Sequence, residues 1–480
     1  MGIEIGPVSS EFLGAELGDR RLNSRALMLV EAIAAAPDES FPKIMSDDGE
    51  LEALYRFLNN ERVDLESLLA PHFRETARRA EASGQVLVIH DTTGFSFGGV
   101  TRRTGLGRMK RAGEHTAQGF YGHVALVASS ETGAPLGVAG VIPVFRTEDP
   151  VPYPNRKQDR KPDREFNRWG ELVKTTSKRL QGSRCIHVMD READAYGLFC
   201  HLTETKQDFV IRSKDNRKLD VPCGDKVQPR LLHDAIDQAR YAMSVDVQLT
   251  TKRSDRMARL RKAPARMKRI AALNVSVTSV AVRHPDYTEG ISRKGSPLPR
   301  SVPMNVVHVQ ELNAPEGEEP IEWTLLSTLP INTEEQIRFV IDCYRRRWLI
   351  EEYFKVIKTG CAFEKRQLES AHALLNALGL FIPMAWRLLA LRTLARETPD
   401  RPASEIASAQ QLRILGARGK VKLSPTPTVR EAMLAIAAEG GHIRNNGDPG
   451  WIVLGRGYEK LLYMELGFVI AHAGERCDQS

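Results

Sequence analysis

The sequence predicts an α/β protein whose sheet-forming middle region lies between two helical ends. Three observations predict this fold class. Apolar runs of four or five residues, such as 86–89 and 185–189, indicate buried strands. Glycines and prolines punctuate the middle region, as they do between strands. Longer segments with apolar residues at helical spacing fill the two ends of the chain.

The elements follow from this pattern in chain order. Residues 1–83 are predicted to be helical, because Leu29, Val30 and Ile33 recur at helical spacing among arginines. Strands are predicted next, at 86–90, 94–98, 123–128 and 137–145. A helix at 166–180, a strand ending at Asp190, a helix at 193–205 and a strand at 209–213 complete the series.

This order of antiparallel strands followed by helix, strand, helix and strand fits a ribonuclease H-like core. We therefore predict a ribonuclease H-like domain at 84–369, interrupted at about 215–319 by a β-rich insertion that contains strands at 241–249 and 273–282. Residues 370–480 are predicted to be a helical C-terminal domain, with helices at 374–394, 430–438 and 457–467.

The charge of the chain is uneven. The net charge of +7 is modest for 480 residues, and the length predicts two to four domains. The stretch 252–269, however, holds nine lysines and arginines and a single acid, Asp255. Such a cluster is typical of phosphate binding, and a solvated basic loop explains it equally well.

Cysteine usage and hydropathy bear on the compartment. The six cysteines are scattered, with neither the paired spacing of a zinc site nor a disulfide framework, which indicates a reducing interior. We found no charged start followed by an apolar run, and no uninterrupted apolar segment of about 18 residues. We therefore expect a cytoplasmic, nucleoid-associated protein without a membrane partner.

One predicted helix face concentrates a carboxylate and several cations. Thr333 with Gln336 predicts a capping box and Gly360 a C-terminal stop, so the helix register is well defined. At about 100° per residue, a stripe about 80° wide holds Tyr344, Arg347, Glu351, Lys355 and Lys358. Glu352 falls off this stripe. The face is suited to a phosphodiester, although exposed ion pairs at helical spacing are the simpler alternative.

Two further carboxylates follow apolar runs. Asp91 and Asp190 each come directly after a predicted buried strand, at the sheet edge where α/β proteins place their chemistry. The alternative for Asp190 is a structural role as the cap of the next helix. Cleavage of a phosphodiester places charge on the attacking and leaving oxygens, which two hard cations about 4 Å apart can stabilise. Three carboxylates suit magnesium better than imidazole or thiolate ligands do.

These residues together resemble a known family. Asp91, the run from Asp190 to Asp194, and the pattern of Tyr344, Arg347, Glu351 and Lys358 resemble the Asp-Asp-Glu cut-and-paste transposases of bacterial insertion sequences, closest to the Tn-five type of the IS-four family. The likeness extends to segments 17–22, 55–60, 209–214, 322–323 and 440–444.

The resemblance implies specific roles. Asp91 would lie between two Mg²⁺ ions, for which Mn²⁺ can substitute, with Asp190 holding one ion and Glu351 the other. DNA contacts are expected from Tyr344, Arg347, Lys355, Lys358 and Arg212, and from Arg20, Arg21 and Arg56 in an N-terminal DNA-binding domain. Trp323 would stack on a flipped base, although a core tryptophan is the alternative.

The resemblance also implies the reaction and the assembly. The enzyme would nick double-stranded DNA at its element's ends, form and reopen a hairpin, and join the 3′ hydroxyls to target DNA. It would work as a homodimer through its last helix, where Trp451, Tyr458, Leu461, Leu462 and Met464 supply apolar surface. Packing of that helix onto its own chain is the alternative.

Two other functions stay open at this stage. A non-catalytic protein that binds the element's ends and restrains transposition would not require three acidic residues beside the DNA. A general ribonuclease H-like nuclease would need no N-terminal DNA-binding domain. Both therefore account for less of the sequence than a transposase does.

Overall fold

The computed structural model describes residues 6–98, 102–109, 118–145, 167–221, 228–249, 267–285, 298–443 and 447–477, with side chains up to residue 469. The chain divides into two compact units. The first unit comprises Met1–Arg184 and Trp348–Ser480, and the second comprises Cys185–Arg347. The second unit is therefore an insertion into the first.

The first unit begins with helices that aspartates cap. The side chains of Asp19, Asp47 and Asp64 accept hydrogen bonds from first-turn amides, which satisfies donors that a helix start leaves open. After a 3₁₀ turn at Val8–Phe12, the helices are α1 (Arg20–Ala35), α2 (Phe41–Ile44), α3 (Asp48–Leu58), α4 (Leu65–Ser83) and, later in the chain, α5 (Asn167–Arg179).

Four antiparallel strands form the sheet of the first unit. They are β1 (Gln85–Phe97), β2 (Gly107–Arg108), β3 (Gln118–Ser129) and β4 (Pro135–Val144). Strand β1 pairs with one edge of β3, and β2 and β4 pair with the other edge. Helices α4 and α5 pack against β3 and β4.

The strands of the second unit are hydrogen-bonded in the order β5-β6-β10-β9-β8-β7. Among the described strands of this unit, β5 and β6 pair in parallel and the other neighbours pair antiparallel. The strands are β5 (Arg184–Met189), β6 (Asp208–Arg212), β7 (Arg240–Leu249), β8 (Arg269–Arg283), β9 (Ser301–Glu311) and β10 (Glu322–Ser327). The helices are α6 (Tyr196–Glu204), α7 (Leu232–Asp237) and α8 (Glu334–Arg346).

The chain then returns to the first unit through a largely helical segment. Its elements are α9 (Trp348–Lys355), a π-helix at Val356–Gly360, a 3₁₀ turn at Phe363–Lys365, α10 (Ala371–Glu397), α11 (Ala409–Arg418), α12 (Val429–Glu439) and α13 (Trp451–Cys477). The mixture of sheet and helix confirms the predicted α/β class.

Helix α10 is the central helix of the first unit. It is long and apolar enough to cross a membrane, but 94% of its most apolar 18-residue window is buried inside the protein. It contacts α3, α4, β4, α12 and α13. This burial is what the core helix of a globular unit shows.

A buried carboxylate joins the start of the chain to helix α4. Glu11 accepts two hydrogen bonds from the Arg79 guanidinium, at 2.8 and 3.0 Å, and one from His72 Nδ1 at 2.5 Å. His72 Nε2 accepts from the Val138 amide at 3.0 Å, so the proton of this neutral ring lies on Nδ1. Burial alone would raise the pKa of Glu11, but His72 and Arg79 hold it at about 2.

The same arginine reaches the sheet and the central helix. Arg79 Nε donates to the Leu136 carbonyl at 2.6 Å, and the guanidinium lies 4.0 Å above the Trp386 ring of α10. Trp386 Nε1 donates in turn to the Pro135 carbonyl at 3.0 Å. Four segments that are distant in sequence therefore meet around one ion pair.

The structure corrects one prediction about the sheet. We expected two strands at 86–90 and 94–98, with Asp91 beyond the end of the first. Instead β1 runs without a break from Gln85 to Phe97, in register with β3, and places Asp91 opposite Val124 inside the strand. The polar residues from Asp91 to Thr93 stay in the strand because β3 supplies a partner for each of them.

The substitution Glu11→Ala is expected to lower the free energy of unfolding by about 3–5 kcal/mol, because it leaves the buried Arg79 without its carboxylate. Urea denaturation of purified protein measures this loss. Glu52→Ala is the matched control, because Glu52 and Arg56 form an exposed ion pair with 67% and 71% of their side chains accessible. The control is expected to cost at most about 1 kcal/mol. Equal losses would contradict the assigned role of Glu11.

Stability is expected to fall as the pH drops below about 6.5. Burial lowers the pKa of His72, and it lowers the pKa of His187 in the second unit to about 4. Each ring stays neutral in the folded protein where the unfolded chain binds a proton, so stability is complete above the unfolded pKa and is lost below it. For His187 the loss is about 1.4 kcal/mol per pH unit between about 6.5 and 4.

Urea midpoints at pH 7.5 and 5.5 test this dependence. His187→Asn should reduce the difference between the two midpoints, whereas substitution of the exposed His233 by Asn should leave it unchanged. A wild-type midpoint that is the same at both pH values would contradict the prediction.

Candidate active site

Asp91 lies half-buried on β1, and one of its carboxylate oxygens accepts a hydrogen bond from the Thr92 amide at 2.7 Å. Because side chains alternate along a strand, Asp91 shares a face with Phe95. The Phe95 ring packs against Phe363 at 5.2 Å and lies 5.6 Å from the Lys358 ammonium. This face of β1 is therefore the one that the segment after α9 covers.

The helix that precedes this segment is capped as predicted but is not continuous. The capping box of Thr333 with Gln336 is present at the start of α8. The helix is interrupted at Arg347, and the chain winds as a π-helix from Val356 to Gly360. The single α-helical stripe that the sequence predicted is therefore divided among α8, α9 and a π turn. Such π turns are frequent at functional sites.

Two neighbouring glutamates of α9 differ in their contacts. Helix α9 packs against β1, and Glu351 lies half-buried in its first turn. Glu352 instead forms an ion pair with Arg396 of α10, with oxygens at 3.0 and 3.3 Å from Nη1. This ion pair commits Glu352, which we predicted to lie off the stripe, to helix α10.

The two lysines of the predicted stripe also differ. Lys355 is exposed, whereas Lys358 is half-buried in the π-helix. Burial lowers the pKa of Lys358, and the negative charges of Glu364 and Glu351 partly oppose that shift. In the first unit, Glu351 and Lys358 therefore interact electrostatically beside the β1 strand that carries Asp91.

In the second unit Asp190 lies directly after β5, as predicted. One carboxylate oxygen accepts from the Glu192 amide at 2.9 Å, so Asp190 caps the 3₁₀ turn at Arg191–Ala193. One oxygen of Asp190 therefore has the capping role that was the structural alternative for this residue. The parallel pairing of Met189 with Ile211 places Asp190 and Arg212 side by side at the same strand ends.

Three other predicted residues of the second unit form one cluster. The Trp323 ring of β10 meets the Tyr344 ring edge to face at 5.5 Å, and the Arg347 guanidinium lies 6.0 Å above Tyr344. Tyr344 is only 7% exposed, whereas Trp323 is half-buried. Arg212 Nη2 donates to the Glu322 carbonyl at 2.7 Å, beside this cluster.

A buried network just beyond Asp190 was not predicted. The Asp194 carboxylate pairs with Arg217 at 2.7 Å and accepts from the Lys214 and Asp215 amides at 2.6 and 3.1 Å. It thereby joins the loop after β5 to the loop after β6. The sequence signal was present in the run that begins at Asp190, but a sequence does not show which arginine will be buried with an aspartate.

The N-terminal arginines and the basic stretch fall into different environments. Arg20 and Arg21 are exposed at the start of α1, and Arg56 forms its exposed ion pair with Glu52 on α3. Residues 252–266 of the basic stretch lie outside the described residues. Arg269, at its end, binds the carboxylates of Glu311 and Glu318 and is thus committed to the sheet of the second unit.

An exposed aromatic residue just outside the predicted stripe was also missed. Trp348 begins α9 and is 63% exposed, next to Arg347.

Of the cysteines, Cys185, Cys200, Cys343 and Cys361 are buried free thiols. Burial raises the pKa of Cys343 and of Cys361 to about 12, which keeps both thiols protonated. Within the described parts of the chain, no three His, Cys, Asp or Glu residues cluster as a metal site.

The last helix corrects the predicted apolar contact surface. Trp451, Tyr458 and Leu461 are at most 6% exposed, because they pack onto their own chain. The packing alternative therefore holds for these three residues. Among the described side chains of α13, the exposed large apolar residues lie further along, at Tyr463, Leu466, Phe468 and Val469.

Comparison with known proteins adds two family matches. The Transposase DNA-binding family matches residues 7–63, and the Transposase DDE domain family matches residues 164–382. The second match includes Asp190 and Glu351 but begins after Asp91. Among solved structures, a cryo-EM structure of a piggyBac transposase synaptic complex with hairpin DNA aligns over 85% of this chain and 78% of that chain, at 11% identity and a TM-score of 0.30. That score is too low to support an argument about fold.

Asp194→Ala is expected to lower the free energy of unfolding by about 3–5 kcal/mol, because Arg217 would stay buried without its carboxylate. Asp190→Ala removes only one capping hydrogen bond and is expected to cost about 1 kcal/mol. Urea denaturation of both variants checks the contrast. A larger loss at Asp190 than at Asp194 would show that the roles of the two aspartates are exchanged.

Proposed function

Because the chain belongs to the DDE transposases, as its two matched domains show, we propose that it excises and inserts its own DNA element. It binds the terminal inverted repeats, cuts them through a hairpin intermediate and joins the 3′ ends to target DNA. We place it, on the motif of Tyr344, Arg347, Glu351 and Lys358, with the Tn-five type of the IS-four family of bacterial insertion sequences. We assign its catalytic domain to the ribonuclease H-like class.

Asp91, Asp190 and Glu351 are the proposed catalytic carboxylates. The observation that carries this assignment is the packing of α9, with Glu351, against the strand that bears Asp91. It supports a role for Asp91, which the matched DDE segment does not include. Asp190 and Glu351 both lie within that segment. Asp190 also follows a strand of the parallel β5–β6 pair, at the kind of strand end where carboxylates serve chemistry in α/β proteins.

The donor chemistry of these residues fits divalent metal ions. All three are half-buried carboxylates, whose hard oxygens suit Mg²⁺ or Mn²⁺, and the described cysteines are buried thiols. Two bound Mg²⁺ ions would supply Lewis acidity to the attacking and leaving oxygens of the phosphodiester. Asp91 would contribute to both ions, Asp190 to one and Glu351 to the other.

The surrounding cations and aromatic residues position the DNA. Lys355 and Arg347 neutralise phosphate charge, as do the exposed Arg20 and Arg21 in the DNA-binding segment. Trp323 and the exposed Trp348 each offer a face on which an unpaired base can stack. Arg212, Tyr344, Lys358 and Arg56 complete the proposed contacts.

The proposed assembly is a homodimer bridged by DNA, with α13 as the contact between copies. Tyr463, Leu466, Phe468 and Val469 give this helix an exposed apolar surface near the end of the described side chains. Aromatic residues such as Tyr463 and Phe468 are enriched in protein interfaces.

The first test incubates purified protein and Mg²⁺ with a labelled duplex that contains the inverted repeats flanking its own gene. Products are resolved on a denaturing gel. Nicks at the repeat boundary that mature into hairpins support the proposal. Specific binding without cuts would favour a regulator of transposition, and degradation of any DNA would favour a general nuclease.

Alanine at Asp91, Asp190 or Glu351 is expected to abolish cleavage while affinity for the ends stays within about threefold, because the carboxylates serve the reaction more than binding. Glu352→Ala is the matched control, since Glu352 forms an ion pair with Arg396 of α10. It should retain most of the activity. Cleavage and gel-shift assays on the four variants check this. Equal losses at Glu351 and Glu352 would contradict the assignment of α9.

A further inference from the structure

Arg366 occupies an unusual position for an arginine. It follows the 3₁₀ turn at Phe363–Lys365 and is only 4% exposed. Its guanidinium lies between two aromatic rings, 4.9 Å from the centre of Phe41 and 4.8 Å from the centre of Phe381. Such a cation needs hydrogen-bond acceptors to offset the cost of burial.

The acceptors come from two separate parts of the first unit. Arg366 Nη2 donates to the Cys361 carbonyl at 2.8 Å and also to the Pro37 carbonyl, and Nη1 donates to the Glu39 carbonyl. Cys361 directly follows the π-helix that carries Lys358. Pro37 and Glu39 lie between α1 and α2, inside the segment that matches the Transposase DNA-binding family.

The turn that Arg366 closes is also fixed to the strand of Asp91. The Ser96 amide of β1 donates to Glu364 at 2.8 Å. Phe363 meets Phe95 and Phe97 edge to face at 5.2 and 5.5 Å. Ala362 adopts a left-handed backbone conformation with φ of 46°, which a side chain disfavours and which the surrounding contacts must hold in place.

These contacts form one continuous path. We propose that Arg366 is a positioning residue that couples the DNA-binding segment to the catalytic face of the first unit. Because one guanidinium holds both the 37–39 loop and the turn after the π-helix, DNA held by residues 7–63 fixes the placement of Lys358 and Glu351 beside β1. Arg366 itself touches neither DNA nor the reacting phosphate. This inference rests on the proposed transposase function.

The carbonyl geometry favours arginine over lysine at this position. A planar guanidinium donates along two edges and stacks between rings, whereas an ammonium is a point charge that satisfies fewer of these acceptors at once. Arg366→Lys therefore keeps the positive charge but loses some of the hydrogen bonds that connect the 37–39 loop to the turn after the π-helix. Phe41→Leu replaces one of the two aromatic rings with a smaller aliphatic side chain. It leaves all three hydrogen bonds from Arg366 to carbonyl groups in place.

The test measures end binding and nicking separately on the full-length chain. The labelled duplex carries the inverted repeats that flank its own gene, the dissociation constant comes from gel shifts, and the nicking rate is taken at saturating DNA with Mg²⁺. Arg366→Lys is expected to bind within twofold of wild type and to nick at least tenfold more slowly. Phe41→Leu is expected to nick about threefold more slowly with unchanged binding.

Arg456→Ala is the matched control. Arg456 of α13 pairs with Asp38 at 2.8 Å and with Glu39 at 3.5 Å, and among the described residues these ion pairs join it to the same loop and not to the turn after the π-helix. Its nicking rate is expected to stay within twofold of wild type. Urea denaturation establishes that each variant is folded under the assay conditions.

Three outcomes would overturn the inference. Nicking by folded Arg366→Lys at the wild-type rate would exclude coupling through this residue. If binding and nicking decline together in both substituted proteins, in proportion to the unfolded fraction, Arg366 serves stability alone. If wild-type protein binds the ends but does not nick them, the proposed function fails and the inference loses its premise.

Discussion

The pairing of Glu11 with His72 and Arg79 is the constraint on which the first unit depends. A carboxylate that is 4% exposed is tolerated only when strong donors surround it. Here the donors come from α4, which also touches the sheet through the Leu136 carbonyl and the central helix through Trp386. The beginning of the DNA-binding segment is thereby fixed to the same framework that carries Asp91.

The second unit uses the same physical device at a different place. Asp194 and Arg217 are buried together, and the amides of the following loop complete the coordination of the carboxylate. This ion pair lies four residues after Asp190 and fixes the loops that follow the two parallel strands. In both units, a buried charge that must be paired holds the backbone near a proposed catalytic carboxylate. The site residues themselves are free to remain half-buried and accessible.

Much of the local structure could be predicted from the sequence. The capping box at Thr333, the strand before Asp190 and the apolar central helix all follow from nearest-neighbour chemistry, which the sequence displays directly. The continuity of β1 through Asp91 could not be predicted, because it depends on pairing with β3 about 30 residues away.

Two further features could not be predicted from the sequence, because they depend on contacts between residues that are distant in the chain. The interruption at Arg347 falls in a segment whose residue pattern is typical of an unbroken helix. The burial of Trp451, Tyr458 and Leu461 follows from their packing on the rest of the first unit, which composition does not reveal. The candidate carboxylates were identified from their spacing and family resemblance. The roles of Asp194 and Arg366 could be identified only from the fold, because their partners are separated from them in the sequence.

The insertion of the second unit also has a consequence for synthesis of the protein on the ribosome. The first unit contains Glu11 and Arg79 early in the chain, but its central helix begins only at Ala371. Until that helix emerges, the first unit lacks the helix whose Trp386 packs against Arg79 in the core. By then the second unit is already fully translated. A growing chain thus carries Asp91 and Asp190 long before it can assemble the framework around them. The core of the first unit is therefore completed only after the whole second unit has been translated.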